Sequence, residues 1–298
     1  MRCGVIGTGA LGLGIVGSLA RNGFTVTVGD RDARALAEAT SAGGVAAASS
    51  RELAAASDAL LLVLPDSPEI FEVADEIAGE LAPGSTVLII STVSPETPVE
   101  LGRRLAPRGV HVLDCPISGG PRRAASGDLA VMVGGDQAVF ERVRPVLDAI
   151  GSRVVRIGPL GHGQIAKLAN NLMGGVIIEG IAEGLAFAAK AGADVQRVAE
   201  AIGGGSGSSW ILREWLPETL FARDYARRFS LDLMLKDMGL IGGLAASLGV
   251  ETPALEVAAE RFRSAVAAGH GGSDFSLVVP LTAREAGAEL PADMQHEE

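Results

Sequence analysis

At 298 residues, 48% hydrophobic and 20% charged, the chain has the make-up of a globular protein long enough for two domains. A formal net charge of −11, with no Lys/Arg cluster beyond pairs such as Arg103–Arg104 and Arg227–Arg228, argues against nucleic acid and anionic membranes as partners. It leaves room for a small acidic substrate in a locally positive pocket. Cys3, Cys115 and four scattered histidines make neither a disulfide framework nor a metal site, and reduced thiols in a cytoplasmic protein are expected.

Behind Arg2, the uncharged stretch Cys3–Ala20 has the length of a signal peptide or anchor. It carries Gly4, Gly7, Gly9, Gly12, Gly14 and Gly17, each a poor helix residue. Their spacing has another explanation. Arg2–Ile6 reads as a short buried strand. Gly7-Thr8-Gly9-Ala10-Leu11-Gly12 follows as a G-x-G-x-x-G turn, then a helix over Leu11–Asn22 ended by Gly23. Next comes the alternating run Phe24–Val28, closing on Gly29-Asp30-Arg31. Strand, glycine turn, helix, strand and acid in about 30 residues is the context of a dinucleotide-binding fold. Gly7 permits the turn, Gly9 lets a pyrophosphate approach the backbone, and Gly12 lets helix and strand pack closely. The free N–H groups and the helix dipole attract phosphate. Asp30 stands where a carboxylate accepts the adenosine ribose hydroxyls, which favours NAD. Arg31 is a group that binds a 2′-phosphate, so NADP stays open.

Further strands are predicted at Ala59–Leu64, Thr86–Ser91, Val110–Asp114, Leu129–Val133 and Val154–Ile157. Helical patterns at Pro68–Leu81, Pro95–Leu105 and Asp136–Ile150 alternate with them. The alternation predicts a mostly parallel sheet covered on both faces. Ligands on such sheets sit beyond the carboxyl ends of strands, which places Leu64-Pro65 and Ser91-Thr92-Val93-Ser94-Pro95 beside the cofactor.

Asp114-Cys115-Pro116-Ile117-Ser118-Gly119-Gly120-Pro121 ends a strand in a Ser-Gly-Gly turn. It reads either as a plain turn or as a carboxylate grip, with the Ser118 hydroxyl and backbone N–H groups converging on the anion. From Gln164 to Ala191 the pattern is one long helix, apolar almost all round and too charged to span a membrane. Lys167 and Asn171 stand four apart on one face of it. A lysine among Ile165, Ala166, Leu168 and Ala169 is poorly solvated, and burial lowers an amine pKa towards the range useful in acid–base catalysis. The alternative is a structural lysine whose amine reaches out at a domain edge. Helices follow at Val195–Ile202, Ser209–Phe221, Leu231–Leu248 and Pro253–Ala268. Trp210 is either a core tryptophan or a pocket wall. The tail from residue 291 is polar and expected to fray.

Four separated motifs resemble those of the β-hydroxyacid dehydrogenase family over residues 2 to 288. The Gly7–Gly12 turn resembles its cofactor fingerprint. Asp114–Gly120 resembles its D-A-P-V-S-G-G motif, with Cys115 and Ile117 in place of Ala and Val. Gly161–Asn171 resembles G-x-G-x-x-x-K-x-x-N-N, and Phe229–Leu240 with Lys236-Asp237 resembles F…K-D-x-x-L. The resemblance implies an α/β Rossmann domain, 1–162, followed by an all-α domain, 163–298, built on the long helix and assembled as homodimers or homotetramers. It implies hydride transfer between NAD or NADP and C3 of a small 3-hydroxy acid such as 3-hydroxyisobutyrate, without a metal. Lys167 would be the general acid/base and Asn171 would orient the reacting oxygen. Ser118, Gly119 and Gly120 would hold the substrate carboxylate, Lys236 would lie near nicotinamide and substrate, and Leu64, Pro65 and Thr92 would touch the cofactor. An imine reductase-like relative and a non-catalytic dinucleotide reader are the alternatives, and the intact Lys167 motif counts against both.

Overall fold

The computed structural model describes residues 1–226 and 228–290; Arg227 and the tail 291–298, for which fraying is expected, lie outside the described residues. The chain falls into two compact units, Met1–Lys167 and a second one from Leu168 onward.

The first unit is a twisted α/β sheet. Its elements run β1 (Arg2–Ile6), α1 (Ala10–Arg21), β2 (Thr25–Gly29), α2 (Ala33–Ser41), β3 (Val45–Ala46), α3 (Ser50–Ala55), β4 (Ala59–Leu62), α4 (Ser67–Ile77), β5 (Thr86–Ile89), α5 (Glu96–Leu105) and β6 (His111–Asp114). They continue with β7 (Ile117–Ser118), α6 (Gly120–Ser126), β8 (Ala130–Gly134), α7 (Gln137–Ile150) and β9 (Arg153–Gly158). The strand order is β3-β2-β1-β4-β5-β6-β8-β7, with β9 paired to β8. From β3 to β6 every pairing is parallel; β8 runs antiparallel to β6 and β7. A parallel sheet needs cover on both faces, and the strand sequences supply it. In β4, Ala59 and Leu61 enter the core beneath α1 and α7, while Leu60 and Leu62 enter the opposite core beneath α3, α4 and α5. The chain reverses direction across the sheet at β1, where β2 lies on one side and β4 on the other. That reversal opens a crevice over the carboxyl ends of the strands.

The second unit is helical. It is built on α8 (His162–Lys190), which begins in the first unit, then α9 (Val195–Gly203), α10 (Leu231–Leu248), α11 (Pro253–Ala265) and α12 (Val278–Glu285). Leu168, Ile178, Ala182 and Leu185 of α8 join Met234, Met238 and Ile241 of α10 and Phe262 of α11 in one core. By length and composition α8 passes as a membrane span, but with one side in this core it is a core helix. The helix expected over Ser209–Phe221 is instead a π turn, Ile211–Trp215, running into a 3₁₀ turn, Leu216–Glu218. Pro217 has no N–H to continue an α-helical ladder. Trp215 is buried against Phe275, and its indole N–H donates to the fully buried Asp274 at 2.9 Å.

Candidate active site

The glycine turn has the geometry that its spacing demands. Gly7 adopts φ +93°, and a Cβ there would sit 2.1 Å from the Val63 carbonyl oxygen. A Cβ on Gly12 would sit 2.0 Å from the Gly7 carbonyl oxygen, so helix α1 can start this close to β1 only with glycine. Gly9, by contrast, faces open space, with nothing within 4 Å of its Cβ position. The first turn of α1 has no side-chain cap and no acidic residue. Its N–H groups are thus left for an outside acceptor, the arrangement that binds phosphate. Ala10 is exposed and Leu11 half-buried on the same turn, while Thr8 is buried beneath it.

Asp30 closes β2. Its Oδ2 accepts the Thr8 backbone N–H at 2.5 Å and the Thr8 hydroxyl at 3.1 Å, and its Oδ1 accepts the Asp32 N–H at 2.8 Å. The acid is thereby tied to the glycine turn. The Arg31 guanidinium pairs with Glu72 at 2.6 Å on the surface. Across the sheet reversal, the Leu64 N–H donates to the Ser91 hydroxyl at 2.8 Å. This bond brings the exits of β4 and β5 together, and with them Leu64, Pro65 and Thr92. Ser118 ends β7, and Gly119 (φ +139°) and Gly120 (φ +73°) turn the chain into α6 with all three residues half-exposed.

On α8, Lys167 is only 8% exposed and Asn171, one turn on, is buried too. The Asn171 amide donates to Asp237 Oδ2 at 2.6 Å, and its carbonyl accepts from the Asn170 amide at 3.0 Å. Lys236 Nζ lies 3.1 Å from Asp237 Oδ1. Asn171 and Lys236 therefore meet on one buried carboxylate. At the start of the same helix, fully buried Asp114 accepts the Gly161 N–H on Oδ1 and the Gln164 N–H on Oδ2, both at 2.7 Å. Burial pushes the Asp114 carboxyl pKa upward, and these backbone N–H groups oppose the shift. Among the described residues, no three His, Cys, Asp or Glu gather as metal ligands do.

Residues 2–158 match the family model described as the NAD binding domain of 6-phosphogluconate dehydrogenase. Residues 161–282 match that described as the NAD-binding of NADP-dependent 3-hydroxyisobutyrate dehydrogenase. The L-threonate dehydrogenase of Cupriavidus necator is 36% identical over 97% of each chain. The chain belongs to the β-hydroxyacid dehydrogenase family. It is an NAD(P)-dependent 3-hydroxyacid dehydrogenase. Among solved structures, 3-hydroxyisobutyrate dehydrogenase from Salmonella typhimurium resembles it with a TM-score of 0.87 at 34% identity, covering 94% of this chain and 99% of that one. Mycobacterium tuberculosis 3-hydroxyisobutyrate dehydrogenase with L-serine resembles it with a TM-score of 0.85 at 30% identity, covering 94% and 98%.

In this dehydrogenase, sequence reasoning gave no role to three buried polar side chains, Asp114, Gln164 and Asp237. All three lie inside quoted motifs. Their partners stand 47 to 73 positions away along the chain, beyond the reach of any local pattern.

Proposed function

We propose that this dehydrogenase interconverts a small 3-hydroxy acid, 3-hydroxyisobutyrate or a close analogue, and its 3-oxo form, with Lys167 as the proton-transfer group. The observation that carries the reading is a buried lysine, 8% exposed, one helical turn from an asparagine whose amide is fixed by Asp237. A primary amine beside the reacting oxygen can take a proton and return it, the work of a general acid/base. Lys167 takes the hydroxyl proton as C3 is oxidised and returns it to the carbonyl oxygen in the reverse direction. Asn171 has one amide hydrogen committed to Asp237 and a second to offer that oxygen. The Ser118 hydroxyl and the N–H groups of Gly119 and Gly120 hold the substrate carboxylate. In this reading Lys236, paired with Asp237, is a further contact for substrate and nicotinamide.

The open Gly9 cradle fits a dinucleotide pyrophosphate, with Gly7 to Gly12, Leu64, Pro65 and Thr92 as its seat. Bound there, the nicotinamide ring supplies the hydride acceptor or donor. Asp30 supports NAD over NADP, because a fixed carboxylate at the end of β2 repels a 2′-phosphate. Buried, unpaired Cys3 and Cys115 are compatible with the reducing cytoplasm. A homodimer or homotetramer built on the exposed face of α8 completes the reading.

Lys167→Ala tests it. Turnover should fall at least ~10²-fold, the scale of a lost general acid or base. Coenzyme affinity, read by NAD(P)H fluorescence titration, should stay within about 3-fold of the parent, since the cradle is untouched. Near-normal turnover in the variant would remove the lysine from the mechanism.

A further inference from the structure

Two motifs that stand far apart in the sequence interlock at the first turn of α8. The helix begins at His162, and Gly161 precedes it with no side chain to cap it. The first N–H groups of a helix have no partner within it. Here the cap comes from another element. Asp114, the last residue of β6, receives the N–H groups of Gly161 and Gln164 on its two carboxylate oxygens. The Gln164 side chain makes the second connection. Its Nε2 donates to the Ser91 carbonyl at 2.9 Å, and its Oε1 accepts the Val93 N–H at 3.1 Å. Ser91 and Val93 leave β5, the neighbour of β6. Both side chains are fully buried, and all four of their polar atoms are satisfied. Buried polar groups with complete partners hold one geometry, because each alternative strands an atom.

The glycines nearby are shaped around this joint. A Cβ on Gly134, opposite Asp114 in the sheet, would sit 2.3 Å from Asp114 Oδ1. A Cβ on Gly163 would sit 2.7 Å from Oδ2 and 2.5 Å from the Met132 carbonyl oxygen. The aspartate of one motif and Gly161 and Gly163 of the other are thus two halves of one fitting. Lys167 follows Gln164 by three residues, about 4.5 Å along the helix axis.

We propose that Asp114 and Gln164 are positioning residues for Lys167: they lock the first turn of α8 to the ends of β5 and β6, and so fix the height and azimuth of the amine. The proposal rests on the reading of Lys167 as the proton-transfer group. A shift of about 1 Å in a reacting group can cost ~10²-fold in rate, so a loosened first turn should appear in kcat.

The test is a double-mutant cycle in the full chain. Gln164→Leu and Asp114→Asn are each made in the parent and in Lys167→Ala. For each protein, kcat and KM are measured with the best 3-hydroxy acid, and coenzyme Kd by fluorescence titration. In the parent, Gln164→Leu should lower kcat at least ~10-fold, and the coenzyme Kd reports separately any movement of Ser91 and Val93 on either side of Thr92. In the Lys167→Ala background the same change should cost less than about 3-fold, because the group it positions is gone. Asp114→Asn places an amide NH₂ against a backbone N–H; if that variant does not fold, Gln164→Leu decides alone. Equal losses in both backgrounds, or a normal kcat for Gln164→Leu in the parent, would overturn the proposal while leaving the lysine mechanism intact. Near-normal turnover of Lys167→Ala by itself would sink the lysine mechanism and this proposal together.

Discussion

Asp30 divides its two oxygens between the glycine turn and its own strand exit, and this fixes what it can do to a coenzyme. With Thr8 donating twice to Oδ2 and the Asp32 N–H on Oδ1, the carboxylate stays in place whether or not a ribose is there. A placed negative charge is a poor neighbour for a 2′-phosphate. Arg31 next to it pairs with Glu72 only at the surface, where an ion pair contributes little, so its guanidinium can be recruited by phosphate. Asp30→Ser should therefore raise the NADP-to-NAD ratio of kcat/KM by on the order of 10-fold, about 1.4 kcal/mol. Steady-state kinetics with both coenzymes measure it, and an unchanged ratio would mean that Asp30 does not face the ribose. Gly12 makes a steric argument of the same locality. Its missing Cβ would lie 2.0 Å from a backbone oxygen that has no freedom to yield. Gly12→Ala should cost about 1–3 kcal/mol of stability through overpacking and weaken coenzyme binding by displacing α1. Thermal melts and NAD(P)H titration report both, and a variant indistinguishable from the parent would show that the turn has slack.

Among the elements, legibility followed length. The unit β1–turn–α1–β2 could be read because each part carries its own signal: a buried run, fixed glycine spacing, a helix ended by glycine and strict alternation. The strands β3 and β7 are two residues each and show no period at all, and the six- and seven-residue helices α3 and α6 are too short for a 3.6-residue rhythm to stand out. At 209–221 the apolar spacing read as a helix, and Pro217 overruled it. The candidate site divides the same way. Lys167 and Asn171 could be paired by their four-residue spacing, but Asp237, which holds Asn171, lies two helices away. The long helix also hides a titration. Glu179, buried on α8, pairs with Arg261 at 3.2 Å, yet burial pushes its carboxyl pKa above the ordinary 4.5. A carboxyl whose folded pKa exceeds its unfolded one holds its proton more tightly in the folded chain. Its contribution to stability is complete below pH 4.5 and is lost as pH rises through the raised value. Glu179→Gln cannot ionise, and Arg261 keeps Glu285 as a partner. The variant should lose less stability than the parent as pH is raised from 4.5 to neutrality. Urea melts at both ends of the range measure the difference. Parallel stability curves for the two proteins would show that Glu179 pays no burial penalty.

At the scale of the whole molecule, the helical unit presents a face that none of the other described residues covers. On α8, Phe187 is 77% exposed and Met173 60%, and the two point the same way from the helix. Between them, Gly180 and Gly184 have nothing within 4 Å of where a Cβ would be, and Gly239, Gly242 and Gly243 on α10 are equally open. Each glycine inside a helix costs about 1 kcal/mol relative to alanine. Among the described residues, no packing offsets that here. Glycines beside exposed large apolar residues suit the close approach of another helix, and a second copy of the same chain can offer one through a two-fold axis. In such an interface one substitution acts twice. Phe187→Glu places two carboxylates in the apolar centre and should turn a dimer, or a tetramer built from it, into smaller species. Light scattering after gel filtration at micromolar concentration reads the mass directly. Charge adds a second discriminator. Each copy carries a formal −11, so long-range repulsion opposes association, and salt screens it over a Debye length of about 10 Å at 0.1 M and 3 Å at 1 M. An assembly held by apolar contact against like charge should tighten as salt rises. One held by ion pairs across the interface should loosen. A parent chain that runs as a monomer at both salt concentrations would leave Phe187 and the open glycines without an occupant, and the homo-oligomer would have to be given up.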